Sequence, residues 1–284
     1  MRLAAASLFA SLAVAQPLTA ELGEGSFGIV KTNGAIWASG VTLGDVVRVD
    51  PATGRIVGRT HVGARILGLA SSKNAVWAVD NFAGAAVRID ATTGKVAGRY
   101  RVGSAPYAIA FGFGSAWVSN SGSGTVSRIG GGTVTTIHVG TEPNGLAVYG
   151  GSVWVTDHTD GKLIRIDPRT NAVTGSVKLT GADWVTGAAG SLWVSQETNV
   201  VAQVDPVRLK VRRTIPAPKN PLGSAVVGDR LWVACIDGNA VAEIDLARGR
   251  VAKRFLAGPG PIGVAADGSH AWVASYSATG LVRY

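Results

Sequence analysis

Residues 144–178, NGLAVYGGSVWVTDHTDGKLIRIDPRTNAVTGSVK, form one complete copy of the unit from which this chain is built. Four short apolar runs alternate with turn formers such as Gly-Gly, Asp-Gly and Asp-Pro, a pattern that predicts four β-strands. We name these strands a, b, c and d in chain order, with strand a expected innermost. Strand b carries the tryptophan of the unit.

Seven tryptophans recur at this position, with spacings of 40, 40, 37, 39, 39 and 40 residues. They are Trp37, Trp77, Trp117, Trp154, Trp193, Trp232 and Trp272. A period of this length with four strands per unit is typical of a β-propeller, whose units bury their apolar faces against each other. The sequence therefore predicts an all-β fold, a single seven-bladed β-propeller of four-stranded antiparallel blades over residues 16–284. We expect each repeat tryptophan to pack against the adjacent blade.

The last repeat ends after strand c, so its outer edge lacks a strand d from the same repeat. Uncovered strand edges invite aggregation, and proteins usually protect them. Residues Gln16 to Gly23 precede the first strand a, where other repeats have a strand d. We expect this N-terminal strand to complete the last blade and close the ring, with Leu22 matched to Leu256.

Residues 1–15, MRLAAASLFASLAVA, have one arginine, a short apolar run and a final small-x-small triplet, as in a secretory signal peptide. We predict Sec-type export to a bacterial periplasm or the medium, with cleavage after Ala15. No stretch approaches the roughly 18 apolar residues of a membrane span, so none is expected. The only cysteine is Cys235, so the core and the ring closure must hold the exported chain together. We expect a monomer with a buried thiol.

The chain is basic, with 27 Lys and Arg against 18 Asp and Glu, a net charge of +9. This raises the possibility of an acidic partner such as nucleic acid or an anionic surface. Five arginines recur at one place in the repeat, which is typical of a solvated rim, and no aromatic series alternates with them. They are Arg48, Arg88, Arg128, Arg165 and Arg283. We expect no dedicated nucleic-acid groove, and binding by this basic rim is kept as a second alternative function.

The units resemble those of YVTN-type propellers and of the streptogramin B lyase (virginiamycin B lyase) propellers. The resemblance rests on VGTEPNGLA at 139–147, on WVSN and WVTD at 117–120 and 154–157, and on the c strands VVRVD and AVRID at 46–50 and 86–90. It implies seven blades and a ligand-binding face that carries the d–a and b–c loops. In the lyases a catalytic histidine follows the proline of a d–a loop, and a glutamate before that proline helps to bind magnesium. Here Glu142 and Pro143 are present, but Asn144 replaces the histidine.

The repeats differ from each other at three positions on that face, and loops on a rigid frame often carry function. Three residues after each tryptophan come Gly40, Asp80, Asn120, Asp157, Gln196, Cys235 and Ser275. The next residues are Val41, Asn81, Ser121, His158, Glu197, Ile236 and Tyr276. Near the start of strand a lie Phe27, Leu67, Tyr107, Asn144, Asp183, Leu222 and Ile262.

Polar residues at these positions concentrate in blades 3 to 5, and this asymmetry predicts the site. The predicted ligand-binding residues are Asp80, Tyr107, Asn120, Asn144, Asp157, Asp183, Trp184, Gln196 and Tyr276. Trp184 replaces the glycine usual in strand a, so it either lines the central mouth or packs inside the fold.

Glu142, Asp157 and Glu197 are candidate ligands for Mg²⁺ or Ca²⁺, which prefer oxygen donors. His158, Glu142 and Glu197 are candidate catalytic groups. The alternative is that residues 157–161, DHTDG, only form a turn. We expect a non-catalytic module that binds a small ligand or a protein and needs no cofactor. The first alternative is a metal-dependent lyase or hydrolase of the streptogramin lyase type, cleaving a carbon–oxygen bond.

Overall fold

A computed structural model describes residues 17–284, and the predicted signal peptide lies outside this range. The described chain forms seven four-stranded antiparallel sheets. Their innermost strands contact each other in a closed cycle, so the sheets are the blades of a ring. The seven-bladed β-propeller predicted from the tryptophan spacing is confirmed.

The first four blades each take four consecutive strands. Blade 1 contains β2 (Ser26–Thr32), β3 (Ala35–Gly40), β4 (Asp45–Val49) and β5 (Ile56–His61). Blade 2 contains β6 (Ile66–Ser72), β7 (Ala75–Asp80), β8 (Ala85–Asp90) and β9 (Val96–Arg101). Blade 3 contains β10 (Pro106–Gly112), β11 (Ser115–Asn120), β12 (Thr125–Gly130) and β13 (Thr133–His138). Blade 4 contains β14 (Pro143–Tyr149), β15 (Ser152–Asp157), β16 (Lys162–Asp167) and β17 (Ala172–Lys178).

The remaining blades follow the same order, except that the last takes its outer strand from the N-terminal side. Blade 5 contains β18 (Ala182–Ala188), β19 (Ser191–Gln196), β20 (Val200–Asp205) and β21 (Lys210–Pro216). Blade 6 contains β22 (Pro221–Val227), β23 (Arg230–Cys235), β24 (Ala240–Asp245) and β25 (Arg250–Leu256). Blade 7 contains β26 (Pro261–Asp267), β27 (His270–Ser275), β28 (Gly280–Arg283) and β1 (Leu18–Glu21).

The N-terminal strand closes the ring as predicted. Strand β1 pairs antiparallel with β28, from Leu18 opposite Arg283 to Glu21 opposite Gly280. The Leu22 amide then donates to the Thr279 carbonyl at 2.7 Å, a bond that each of the other six blades repeats after its own strand d. In blade 6 the equivalent donor is the Ala257 amide rather than Leu256.

The predicted match of Leu22 with Leu256 is therefore wrong by one residue. Leu22 is fully buried, whereas Leu256 is 87% exposed. Adjacent residues of a strand point to opposite faces, so a slip of one position exchanges an inward side chain for an outward one.

The core consists of seven apolar clusters within residues 17–284, one between each pair of neighbouring blades. Each cluster contains one repeat tryptophan, which packs against the following blade. Trp272, for example, joins Leu22 and Ile36 between blades 7 and 1. The strands b are buried on both faces because each blade packs between its two neighbours. The predicted packing role of the tryptophans is confirmed.

The recurring arginines lie directly opposite these tryptophans on strand c. The guanidinium carbon of Arg128 is 4.9 Å from the centroid of the Trp117 ring, a cation–π contact. Its Nη1 also donates to the Pro168 carbonyl of the next blade at 2.5 Å. Arg283 makes the same kind of bond across the closure, to the Pro51 carbonyl at 2.9 Å. Part of the basic series therefore connects neighbouring blades.

Candidate functional site

Every strand a is interrupted by a register shift against strand b. One extra residue on strand a causes each shift, and such β-bulges turn side chains away from the regular alternation. The first residues inside the seven bulges are Phe27, Leu67, Tyr107, Asn144, Asp183, Leu222 and Ile262, and we call them the bulge residues. The variable positions at the start of strand a therefore coincide with a β-bulge that is repeated in all seven blades.

Six of these seven bulge residues line one cavity of about 300 Å³ at the central mouth of the propeller. Leu67, Leu222, Ile262 and Phe27 make much of its wall apolar. The complete lining is Phe27, Arg65, Leu67, Tyr107, Asp183, Asn220, Leu222, Ile236, Ile262 and Tyr276. An apolar cavity of this size with a few convergent polar groups has the character of a small-molecule site.

Trp184 lies deeper in the channel. It lines a second, smaller space together with Phe27 and Ile262, and the Phe27 and Trp184 rings are 6.4 Å apart in an edge-to-face arrangement. The equivalent residue of blade 4 is Gly145, where an added Cβ would lie 2.6 Å from the Asp183 carbonyl oxygen. Trp184 packs against the apolar clusters and borders the smaller space below the mouth, and its predicted role in ligand binding stays a prediction.

Asp183 is the acidic group of the cavity wall. The Asn144 amide nitrogen donates to its Oδ1 at 3.2 Å, and Thr156 Oγ1 donates to its backbone carbonyl at 2.7 Å. Burial raises the pKa of Asp183, an effect opposed by the nearby His158 and by the hydrogen bond from Asn144. Asn144 does not line the cavity, but its side chain holds the Asp183 carboxylate that does.

The rim of the mouth is built from paired loops. In every blade the amide four residues after the repeat tryptophan donates to the carbonyl two residues before the bulge residue, at 2.8 to 3.1 Å. The bond fixes the d–a loop against the b–c loop, so side chains at these two positions become neighbours. In blade 4 the pair is Glu142 and His158. The His158 Nε2 also lies 3.5 Å from Glu197 Oε2 of blade 5.

Arg65 is a cavity residue that the sequence analysis missed. Its guanidinium lies over the Phe82 ring at 5.4 Å, and it donates to Asn81 Oδ1 at 3.5 Å and to the Tyr276 hydroxyl at 3.4 Å. Asn220, also missed, occupies the same loop position in blade 6. An alignment of the d–a loops could have identified both residues. In the other five blades this position is Gly25, Ala105, Glu142, Gly181 and Gly260, so large polar side chains stand out.

Besides Asn144 and Trp184, four predicted ligand-binding residues do not line the mouth cavity: Asp80, Asn120, Asp157 and Gln196. All four are buried; Asp80, Asp157 and Gln196 bind loops next to their strands, and Asn120 binds strand c of its own blade. Asp157 accepts the amides of Thr141 at 2.7 Å, Asp160 at 2.9 Å and Glu142 at 3.3 Å. Gln196 donates to the Thr180 carbonyl at 2.7 Å, and Asn120 donates to Thr125 and Ser127. Buried polar groups need such partners, so at Asp80, Asp157 and Gln196 the position three residues after the tryptophan serves loop structure.

Glu24 shows how general this loop anchoring is. Blade 1 has Gly40 where blades 2, 4 and 5 have an anchoring side chain, and the Glu24 carboxylate fills that space from the d–a loop. Its Oε2 accepts the amides of Thr42 at 2.9 Å and Leu43 at 2.8 Å.

The candidate metal ligands do not combine into a cation site. Asp157 is occupied by three amides, Glu142 accepts the Thr159 hydroxyl at 2.6 Å, and Glu197 lies beside His158. No group of three or more His, Cys, Asp or Glu side chains in the described chain is arranged to hold a metal ion. The residues present therefore do not fit the magnesium site implied by the lyase resemblance.

Comparison with known proteins supports the repeat and the fold. A family model described as a repeat of unknown function (DUF6923) matches residues 9–145. None of the curated proteins compared with the chain matches it. Hydrazine synthase from Kuenenia stuttgartiensis has a similar structure, with a TM-score of 0.83, 16% identity, and coverage of 93% of this chain and 96% of that one.

The β-propeller domain of Cps50 (Swd1) from Myceliophteria thermophila is also similar, with a TM-score of 0.75, 12% identity, and coverage of 92% of this chain and 96% of that one. Likeness at these identities shows the propeller fold alone. The specific resemblance to YVTN-type and streptogramin B lyase propellers stays a prediction. Among residues 17–284 no helix is long and apolar enough to cross a membrane.

Proposed function

We propose that this protein is a non-catalytic binding module that holds a small molecule in its central mouth. The observation that carries this proposal is the convergence of six bulge residues on one cavity of about 300 Å³. These are the positions at which otherwise similar repeats differ. All blades therefore share one backbone arrangement, and each contributes a different side chain to the cavity wall. The proposal needs no bound metal or other cofactor.

The predicted location of the site changes in one respect. Blades 3 to 5 supply Tyr107 and Asp183, but Arg65 comes from blade 2 and Tyr276 from blade 7. The proposed site is therefore the whole mouth, with an acidic side at blades 4 and 5 and a basic side at blade 2.

A cavity-filling substitution tests this function. Leu222 lines the mouth, and Leu222→Trp places a larger ring there. Leu256→Trp is the matched control because Leu256 is 87% exposed on the outer strand of the same blade. Each protein is dialysed against a low-molecular-mass filtrate of bacterial culture, then denatured, and the released compounds are identified by mass spectrometry.

We expect the wild type and Leu256→Trp to retain the same compound and Leu222→Trp to lose it. A folded Leu222→Trp protein that retains the compound as well as the wild type does would contradict the proposal. A wild type that retains nothing would also contradict it.

We further propose that the module acts outside the cytoplasm. The support is the signal-like sequence of Met1 to Ala15, which precedes the closing strand β1. The expected result of N-terminal sequencing of exported protein is a mature chain that begins at Gln16. A mature chain starting within Leu18–Glu21 would contradict it, since cleavage there removes residues that pair with β28.

A further inference from the structure

The mouth carries opposite charges on opposite sides. Arg65 belongs to the loop before blade 2 and Asp183 to blade 5, and both line the same cavity. Blades 2 and 5 are three steps apart, which is the largest separation in a ring of seven. The two charged groups form no salt bridge with each other.

Arg65 has no acidic partner among the described residues, although arginines such as Arg212 and Arg248 do. Within residues 17–284 its guanidinium makes only two hydrogen bonds, to Asn81 and Tyr276, and both are long at 3.5 and 3.4 Å. A guanidinium offers a planar set of donors that matches a carboxylate in a two-point contact. The Arg65 side is therefore suited to a carboxylate.

The opposite side is acidic, although the whole chain has a net charge of +9. Asp183 lines the wall, and Glu142 and Glu197 are close enough to raise its pKa further. The His158 imidazole lies beside these carboxylates, with its Nε2 3.5 Å from Glu197 Oε2. Negative groups beside a partly apolar wall favour a ligand that carries an ammonium group.

The wall between the two sides is apolar and aromatic. Leu67, Leu222 and Ile262 supply aliphatic surface, while Phe27 and Tyr107 meet edge to face with centroids 5.1 Å apart. A molecule that spans the mouth must therefore have an apolar body between its charges. A free amino acid has no such body between its charges, because its two charged groups share one carbon atom.

We propose that the ligand class is a short apolar peptide with free ends, a dipeptide or tripeptide. Its terminal carboxylate binds Arg65, its terminal ammonium binds the Asp183 side, and its side chains contact the apolar wall. An extended chain adds about 3.3 to 3.6 Å per residue, so the number of residues sets how far apart the two charges lie. This inference rests on the proposed function of the mouth.

Calorimetric titration with a defined series tests the inference. The probes are leucine, Leu-Leu and Leu-Leu-Leu, each peptide also with an acetylated N-terminus or an amidated C-terminus. We expect one of the two peptides to bind at least about tenfold more tightly than leucine. Blocking either end is expected to weaken that binding by about tenfold or more, because each block removes a charge-assisted contact.

Variants assign the two ends. In Arg65→Gln we expect amidation of the peptide to have no further effect while acetylation still weakens binding, and in Asp183→Asn we expect the reverse. The controls are Arg169→Gln and Asp229→Asn. Their side chains are 88% and 81% exposed, and neither residue lines the mouth. Both controls should bind every probe as the wild type does, and circular dichroism should show that all four variants are folded.

The outcomes separate this inference from the function on which it rests. If the filtrate compound is retained through the mouth but no peptide binds, or if blocked peptides bind as well as free ones, the peptide class is refuted and the binding function stands. If the wild type retains no filtrate compound and binds no peptide, both proposals are refuted.

Discussion

The closing strand allows a quantitative test of the fold. Leu22→Ala removes a side chain that is fully buried between blades 7 and 1, in contact with the cluster of Trp272 and Ile36. Truncation of a buried leucine to alanine costs about 2 to 5 kcal/mol, since it loses apolar burial and leaves a cavity. With about 2 to 4 °C per kcal/mol for a domain of this size, a loss of about 3 kcal/mol lowers the Tm by about 6 to 12 °C.

The control for Leu22→Ala is Leu256→Ala, the same substitution at the end of the outer strand of blade 6. Leu256 is 87% exposed, so its truncation should change the free energy of unfolding by no more than about 0.5 kcal/mol. Differential scanning calorimetry and urea denaturation measure both variants. Equal losses in the two variants, or a loss below about 1 kcal/mol for Leu22→Ala, would refute the burial of the closing strand in the ring.

Three further predictions concern other parts of the molecule. Arg128→Ala removes a cation–π contact and a hydrogen bond to Pro168 of the next blade and should cost about 1 to 3 kcal/mol of stability in urea denaturation. Arg88→Ala, at the same repeat position but without such contacts in the described structure, should cost less than about 0.5 kcal/mol, and equal costs would contradict the role of Arg128. Burial raises the pKa of Asp183, so the folded state binds more protons than the unfolded state and stability falls as the pH rises above about 4. Asp183→Asn should remove that fall and have the higher Tm at neutral pH but not in acid; a Tm difference independent of pH would contradict this. Burial also raises the pKa of the Cys235 thiol to about 12, so only about one thiol in ten thousand is ionised at about pH 8. Its reaction with a disulfide reagent should be slow in the native protein and fast in urea, and rapid native labelling would show that the thiol is accessible.

The sequence was sufficient to predict the fold because the same pattern of apolar strands and turn residues recurs seven times. Each tryptophan fixes one strand b, and the turns around it set the other three. The closure followed from a missing strand at one edge and an unassigned segment before the first repeat. The error at Leu22 and Leu256 arose because the two segments were matched on leucine, whereas the residue of blade 6 equivalent to Leu22 is Ala257.

The site was harder to predict because side-chain direction depends on the bulges. The variable position at the start of strand a lies in a bulge in every blade, and in six of the seven blades its residue lines the mouth. Asp157 looked like a ligand-binding residue by type and place, but its carboxylate is buried and accepts loop amides. A carboxylate at the same position in an exposed loop would face the solvent instead. The sequence alone does not distinguish a buried carboxylate that accepts amides from an exposed one.

Arg65 was overlooked for a different reason. It belongs to the basic composition of the chain, and the recurring arginines suggested a rim rather than a site. Only the loop geometry shows that its position, two before the bulge residue Leu67, brings it to the cavity that also contains Asp183. An aligned column of mostly small residues with one cation, one acid and one amide is the pattern that identifies it.

Trp184 provides the most direct test of the central claim that the mouth is a binding site. It is the one tryptophan of eight outside the repeat position, and it borders the channel below the mouth with Phe27 and Ile262. In a ¹⁵N–¹H correlation spectrum the Trp184 indole signal is assigned by its absence in Trp184→Phe. We predict that adding the compound retained from the culture filtrate shifts this signal and leaves the seven blade tryptophans unchanged. Saturation of the protein with no shift at Trp184, or with shifts at the blade tryptophans instead, would contradict the account.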